Sequence, residues 1–511
     1  MAEKISLQSE ISMDNLIKTL QTSTMFHMSL GSKELFHSNF LHWISIVNWD
    51  VFLQIMRNLA GLKEDELFWW EKEDIKDWRG KPYRPNNNNV EVRREFHNFD
   101  LSIYILDSEK PAKEYQQPDN DESTDKEEIK TNGERMVQKW IPVLILENKM
   151  KSLPYEEQLK RYTQKAFDEW RTGEKIKTEA RKGQDKVLDN KYGITFILLS
   201  LMESTLNNFE FLEEKVSKNP KYTLKLTSEW KHKTYNELLD SIERAKTMPS
   251  WSAQQQLNKD VVDDYSKFVK ALYELAKNYW KIDPKKYYRN QIYPWKIKNE
   301  DAKRKTQEIE EYKKLRIHDI HEKLLYAQLL SLLESKLKNE SLSFCRYSKE
   351  AIQEQSNQEC PIRLYTNLSY AHGVGIFEVT YILSGQLAPQ SGKKEIFKLI
   401  IQVQGDRYCH MVVYDDIVDD SGGKLCIKAS SLEDAWKTAP KQMDITKIDD
   451  YISYEKNTPV FQHLSSSKNP EWGKYSNNLI YQYVEIPPDA TIQDVITAMV
   501  NDIVEISKWF K

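Results

Sequence analysis

Glu147-Asn148-Lys149 closes a run of apolar residues that includes Ile141, Val143, Leu144, Ile145 and Leu146. Such a run reads as a buried strand, in which residues two apart share a face, so Glu147 and Lys149 aim a carboxylate and an ammonium at one spot. Asp100 opens a second alternating segment, Leu101, Ile103 and Ile105. Paired antiparallel with their ends matched, the two segments set 106 opposite 141 and 100 opposite 147, and both carboxylates meet at one end of a sheet. Two converging carboxylates suit a hard divalent cation, Mg2+ or Mn2+ in its place, which keeps waters for a substrate phosphate. Lys149 then helps to deprotonate a metal-bound water and offsets charge building on the phosphate. Gln158 and Tyr162, spaced i and i+4 in a helical pattern, face one side. Gln158 is suited to orient the water or the lysine, and Tyr162 to meet a phosphate backbone. Lys160, Arg161 and Lys165 add cations beside them for backbone contact. The chemistry implied is metal-assisted phosphodiester hydrolysis.

The elements that must position these groups follow from periodicity. Residues 34 to 60 carry Phe36, Phe40, Trp43, Ile44 and Val47 on one helical face, and Val90 to Phe96 alternates as a strand. A helix is expected over Tyr155 to Trp170 after Pro154, and a strand buried on both faces over Ile194 to Leu201. Between the Asp100 and Glu147 segments, residues 107 to 138 are crowded with Asp, Glu, Lys, Pro and Asn and read as a solvated insertion. Helical patterns occupy Trp230 to Tyr279 and Gln307 to Lys338. Beyond about 340 the texture turns to strands at Ile376 to Leu383, Ile396 to Val403 and Met411 to Tyr414, with a last helix over Thr491 to Phe510.

A helix bearing Glu34, a strand bearing Asp100, the strand Val143-Leu-Ile-Leu-Glu147-Asn-Lys149 and the helix Gln158-Leu-Lys-Arg-Tyr162 resemble the PD-(D/E)XK, or restriction-endonuclease-like, nuclease superfamily. The match is to its bacterial branch with a Glu-Asn-Lys core, and it extends over roughly residues 25 to 245, including the Trp230 to Leu239 segment. Phe99 stands where the family pattern carries proline. The resemblance implies Asp100 and Glu147 as metal ligands, Lys149 as the catalytic lysine and Glu34 as an additional metal-side carboxylate. It also implies an endonuclease acting on DNA, as the effector of an anti-phage or restriction-type system. The fold class expected is α/β, a restriction-endonuclease-like mixed sheet flanked by helices, followed by a helical segment and a C-terminal α+β domain. The domain limits expected are 1–245, 246–340 and 341–511.

Second readings stand beside these. Glu147 and Lys149 also fit an ordinary strand ion pair, and Glu34 also fits a helix N-terminus, where a carboxylate complements the dipole. E-x-K recurs at Glu213-Glu214-Lys215 and Glu311-Tyr312-Lys313, but neither follows an apolar strand. Lys285 to Lys305 interleaves cations with Tyr and Trp, which suits either nucleic-acid contact or an aromatic-packed connector. His37 and His42 are five apart, on different helix faces, and His318 and His321 need a further ligand before they make a metal site. The alternative function is a nuclease-fold module that binds nucleic acid or a protein as a sensor without cutting.

Composition bounds these readings. The 511 residues carry 74 Lys plus Arg against 78 Asp plus Glu, a formal net charge of -4, which excludes binding of nucleic acid by bulk positive charge. Four scattered cysteines form no C-x-x-C pair, and no phosphate-binding Gly-Lys loop or G-x-S-x-G elbow is present. The expectation is a soluble, cytoplasmic protein with no membrane partner. Double-stranded DNA is the expected ligand, with a homo-oligomer or a partner protein engaged through the C-terminal domain.

Overall fold

The alternating segments around Asp100 form a hairpin in which β1 (Val90–Phe96) and β2 (Phe99–Pro111) pair antiparallel, Val90 opposite Ile105 and Phe96 opposite Phe99. The computed structural model describes residues 12–30, 33–63, 65–72, 80–81, 89–97, 99–111, 126–131, 134–150, 156–171, 193–202, 209–216, 223–249, 251, 256–294, 298–342, 344–346, 362–369, 374–386, 394–414, 417–418, 424–425, 473–476 and 479–509. They fall into two compact units, 1–279 and 280–511. This division passes through the 246–340 stretch.

In the first unit, β3 (Lys126–Thr131) and β4 (Glu134–Lys149) follow β2, and β5 (Thr195–Ser200), β6 (Phe209–Val216) and β7 (Thr223–Thr234) complete a sheet of order β1-β2-β4-β5-β7-β6, with β3 paired to β4. β4, β5 and β7 run parallel, while β1, β2 and β6 pair antiparallel, so the sheet is mixed. The unit is mixed α/β.

The expected β2–β4 register holds at one end and slips at the other. Leu101 lies opposite Leu146, which sets Asp100 against Glu147, but Leu106 lies opposite Trp140 rather than Ile141. A bulge at Val143 absorbs the extra residue, since Ile103 pairs with Leu144 and Tyr104 with Pro142. Where the 107–138 insertion is described it is strand: Pro111 pairs with Met136, and β3 pairs with β4 from Lys126–Lys139 to Thr131–Glu134. Ladder bonds are made by the main chain, so charged side chains did not prevent them. Residues 112–125 and 132–133 of that insertion lie outside the described residues.

Helices cover both sheet faces. On one, α5 (Glu156–Arg171) buries Leu159, Tyr162, Thr163 and Ala166, the i, i+3, i+4, i+7 pattern of a one-sided helix. On the other lie α3 (Lys33–Val47), α6 (Tyr235–Lys246) and α7 (Gln256–Asn278), with α1 (Met13–Thr22), α2 (Thr24–Ser29) and α4 (Trp49–Leu59) packed among them. The 34–60 pattern is thus two helices, because Asn48 accepts from the Val51 N–H at 3.2 Å and starts a new one. Thr234 and Glu237 form a capping box that begins α6 directly from β7. Trp230 of β7 is fully buried and donates its indole N–H to Thr163 Oγ1 at 2.8 Å, pinning α5 to the sheet. Trp230→Ala is expected to cost about 3–5 kcal/mol, read from urea unfolding; a loss under 1 kcal/mol would contradict this packing.

In the second unit, α8 (Tyr288–Gln291), α9 (Glu300–Lys314), α10 (His318–Asn339) and the final α11 (Ile492–Trp509) accompany a sheet of strands β8 (Phe344–Arg346), β9 (Ile362–Ser369), β10 (Val374–Gln386), β11 (Lys394–Gln404) and β12 (Arg407–Tyr414). After the two-residue pair β13 (Ile417–Val418) and β14 (Lys424–Leu425), strands β15 (Gly473–Ser476) and β16 (Leu479–Glu485) join at the β12 edge, and all pairings but β8–β9 are antiparallel. The expected helix over 307–338 is two helices. Arg316 at φ 57 breaks it in the left-handed region, where non-glycine residues rarely sit, and buried Leu315 and Ile317 anchor the break. Among the described residues, no helix is long and apolar enough to cross a membrane.

Candidate active site

Strand alternation sends Glu147 and Lys149 to the α5 face and Asn148 to the α3 and α6 face. Glu147 is 1 % exposed, and its Oε1 lies 2.6 Å from Lys149 Nζ and accepts from Gln158 Nε2 at 3.1 Å. Gln158 also donates to the Tyr162 hydroxyl at 3.0 Å, so the i, i+4 pair on α5 acts as one unit over the strand end. Asp100 Oδ2 accepts the Asn148 backbone N–H at 2.6 Å, which couples the β2 carboxylate to the β4 tripeptide. Asn148 donates its Nδ2 to the Glu34 carbonyl at 2.9 Å, and its Oδ1 accepts from the Tyr235 hydroxyl.

The electrostatics follow from burial of Glu147 beside the partly exposed Asp100, Lys149 and Glu34. Burial pushes the Glu147 carboxyl up to about 8, the nearby Asp100 and Glu34 charges add to the rise, and Lys149 opposes it. Asp100 is raised as well, burial again dominating over the pull of Lys149 and the Asn148 N–H. Burial disfavours the charged Lys149, but the summed attraction of Glu147, Glu34 and Asp100 outweighs it and holds the ammonium well above its ordinary value. Lys149 is therefore held as a cation, and burial makes the Glu147 carboxyl bind a proton more readily than an exposed carboxyl does.

These residues fit a divalent cation in one specific respect. Glu147 Oε2 is buried and without a hydrogen-bond partner, beside a second carboxylate from the neighbouring strand. Such an oxygen is costly to bury bare, and a hard cation would satisfy it. Among the described residues, no three His, Cys, Asp or Glu side chains form a ready ligand set, and that includes Asp100, Glu147 and Glu34, so a cation here could draw on two carboxylates, Asp100 and Glu147.

The remaining sequence candidates separate by position. Lys160 and Arg161 are exposed on α5 and Lys165 is half-buried, whereas Tyr162 is only 8 % exposed with its hydroxyl bonded to Gln158. Tyr162 thus faces the sheet and supports Gln158. Within the 285–305 stretch two residues are packed, Tyr288 donating to the Gly405 carbonyl at 2.7 Å and buried Arg289 lying 3.4 Å from Glu485, while Lys285, Lys286, Tyr287, Lys303 and Arg304 are exposed. Lys303 and Lys305 contact Glu300 and Glu308, while 295–297 lie outside the described residues. His37 is a core residue, 2.8 Å from the Tyr265 hydroxyl, and His321 is buried against Trp280 and Tyr312. Ser200 Oγ lies 2.6 Å from His232 Nε2 and also within hydrogen-bond reach of the Met202 carbonyl.

Sequence reasoning placed Asn148 in the tripeptide but not its contacts on the opposite face, and it missed Tyr235. Tyr235 was visible only as an apolar helix position, and the Thr234-x-x-Glu237 box was the signal that this helix starts at the sheet end. Compared with protein-family models, curated proteins and solved structures, the chain matches none.

Proposed function

We propose that this chain is a metal-dependent nuclease hydrolysing phosphodiester bonds, with double-stranded DNA as substrate and Mg2+, or Mn2+ in its place, as cofactor. The observation that carries the reading is Glu147: a buried carboxyl shared by Lys149 and Gln158, with Asp100 across the strand and Oε2 lacking a partner. The reading accords with the restriction-endonuclease-like resemblance, which implies Asp100 and Glu147 as metal ligands and Lys149 as the catalytic lysine. Asp100 and Glu147 would hold the cation, which when bound makes a nucleophilic water available near neutral pH and neutralises charge on the phosphate. Lys149 supplies a permanent positive charge at the attacked phosphate. Gln158, fixed by Glu147 and Tyr162, orients the attacking water with its amide. Lys160 and Arg161 neutralise the nucleic-acid backbone on the exposed side of α5. The α+β unit serves as the target-recognition or partner-docking part of an anti-phage or restriction-type effector, and cytoplasmic residence accords with that role.

Lys149 in direct contact with Glu147 also favours a second reading, because the ammonium takes one of the oxygens that a cation would need. In that case the fold binds nucleic acid or a protein as a sensor without cutting. Incubating the full chain with plasmid, linear and single-stranded DNA and with RNA, plus Mg2+ or Mn2+, decides between them. The expected result is cleavage that requires the cation and falls at least about 100-fold in Asp100→Asn. An intact parent digest accompanied by binding of nucleic acid would establish the sensor.

A further inference from the structure

We infer that Asn148 and Tyr235 form a positioning clamp on the back face of the sheet, which sets Asp100 and the Glu34 helix for cation binding. The inference rests on the nuclease reading above and goes beyond it in naming residues that touch neither cation nor substrate. Asn148 lies between the two proposed functional side chains of its strand, yet points away from them and is 1 % exposed. Each of its polar groups is used: the backbone N–H by Asp100 Oδ2 at 2.6 Å, Nδ2 by the Glu34 carbonyl at 2.9 Å, and Oδ1 by the Tyr235 hydroxyl. One residue of β4 thereby joins β2, the first turn of α3 and the first turn of α6.

The tyrosine is held as firmly as the amide. It is fully buried, and the His37 ring packs edge-on against it with centroids 4.9 Å apart. The Glu34 carbonyl can only accept, so it takes Nδ2 and turns Oδ1 to the Tyr235 hydroxyl, which donates to it. Without that hydroxyl, the buried Oδ1 loses its donor, and the amide is held by the Glu34 carbonyl alone. The effect reaches the cation through geometry alone, as partners behind ligand carboxylates commonly do.

Calorimetric titration of Mn2+ into the full chain tests this without any cleavage assay. Tyr235→Phe is expected to raise the Mn2+ Kd at least about tenfold. Asn148→Ala, which keeps the N–H that Asp100 accepts, is expected to do the same. Tyr265→Phe removes another fully buried hydroxyl from the same cluster, the one bonded to His37, but does not touch Asn148. Its Kd is expected to stay within about twofold of the parent, because no partner behind a ligand carboxylate is lost. A purely structural role would make both Tyr→Phe variants behave alike, so equal losses in the two, or parent-like Kd values in Tyr235→Phe or Asn148→Ala, overturn the clamp. A parent that binds no Mn2+ overturns instead the nuclease reading on which the clamp rests.

Discussion

Lys149→Ala is expected to lower phosphodiester cleavage by about 10²–10⁴-fold while the protein stays folded. The size follows from what the side chain does: it is the one cation in direct contact with Glu147 among the described contacts, 2.6 Å from Oε1 and only 14 % exposed. Its charge is assured, since three carboxylates outweigh the cost of its burial. Survival of the fold follows from Glu147. Removing a partner from a buried ion pair is destructive when it strands a charge, but this carboxyl is already pushed upward by burial and takes a proton instead. Circular dichroism matching the parent, beside lost cleavage, is the expected pair of results. A variant that cuts as fast as the parent ends the assignment of Lys149 to the reaction.

Between about pH 6.5 and 8 the protein is expected to lose stability as pH rises, by on the order of 1 kcal/mol per pH unit from Glu147. The folded state keeps a proton on Glu147 up to about 8, whereas an unfolded chain releases it near 4.5. Through that interval the folded state binds more protons, so each step up in pH favours unfolding. Asp100, raised for the same reason, acts in the same direction. His37 acts in the opposite one: burial lowers it to about 3, so below its ordinary 6.5 the unfolded chain binds the extra proton and acid destabilises. The slope from Glu147 is therefore clean only above about 6.5. Urea unfolding across this range should show the decline in the parent and its flattening in Glu147→Gln. Parallel curves for the two would mean that Glu147 titrates normally. Mn2+ should oppose the decline, since a bound cation replaces the proton.

The chemistry-bearing residues were legible because they sit on short-range patterns. Apolar alternation up to Leu146 marked a buried strand, and period two placed Glu147 and Lys149 together. Period 3.6 placed Gln158 and Tyr162 on one side of α5, where they do meet. The antiparallel register at Asp100 was legible too, because matching strand ends constrains it. The bulge at Val143 was not, since one unpaired residue leaves no mark in composition. The bond between Tyr162 and Gln158 was not legible, for a tyrosine at a helix boundary suits both a packed and an exposed position and only the packed sheet chooses.

By itself, the sequence determined the local groups of this protein: the strand that ends in Glu147-Asn148-Lys149, the helix that follows it, and the fact that charge near zero confines any nucleic-acid contact to a local surface. The tertiary structure decided what depends on residues far apart in the chain. Asn148 meets Glu34 across 114 positions and Tyr235 across 87, and Arg289 is buried against partners some 196 positions away. The physical reason is that periodicity reports which side of an element is apolar, while the partner of a buried polar group is set by which elements close over it. An asparagine pointing into a core carries no sign in sequence of the donor it will accept from.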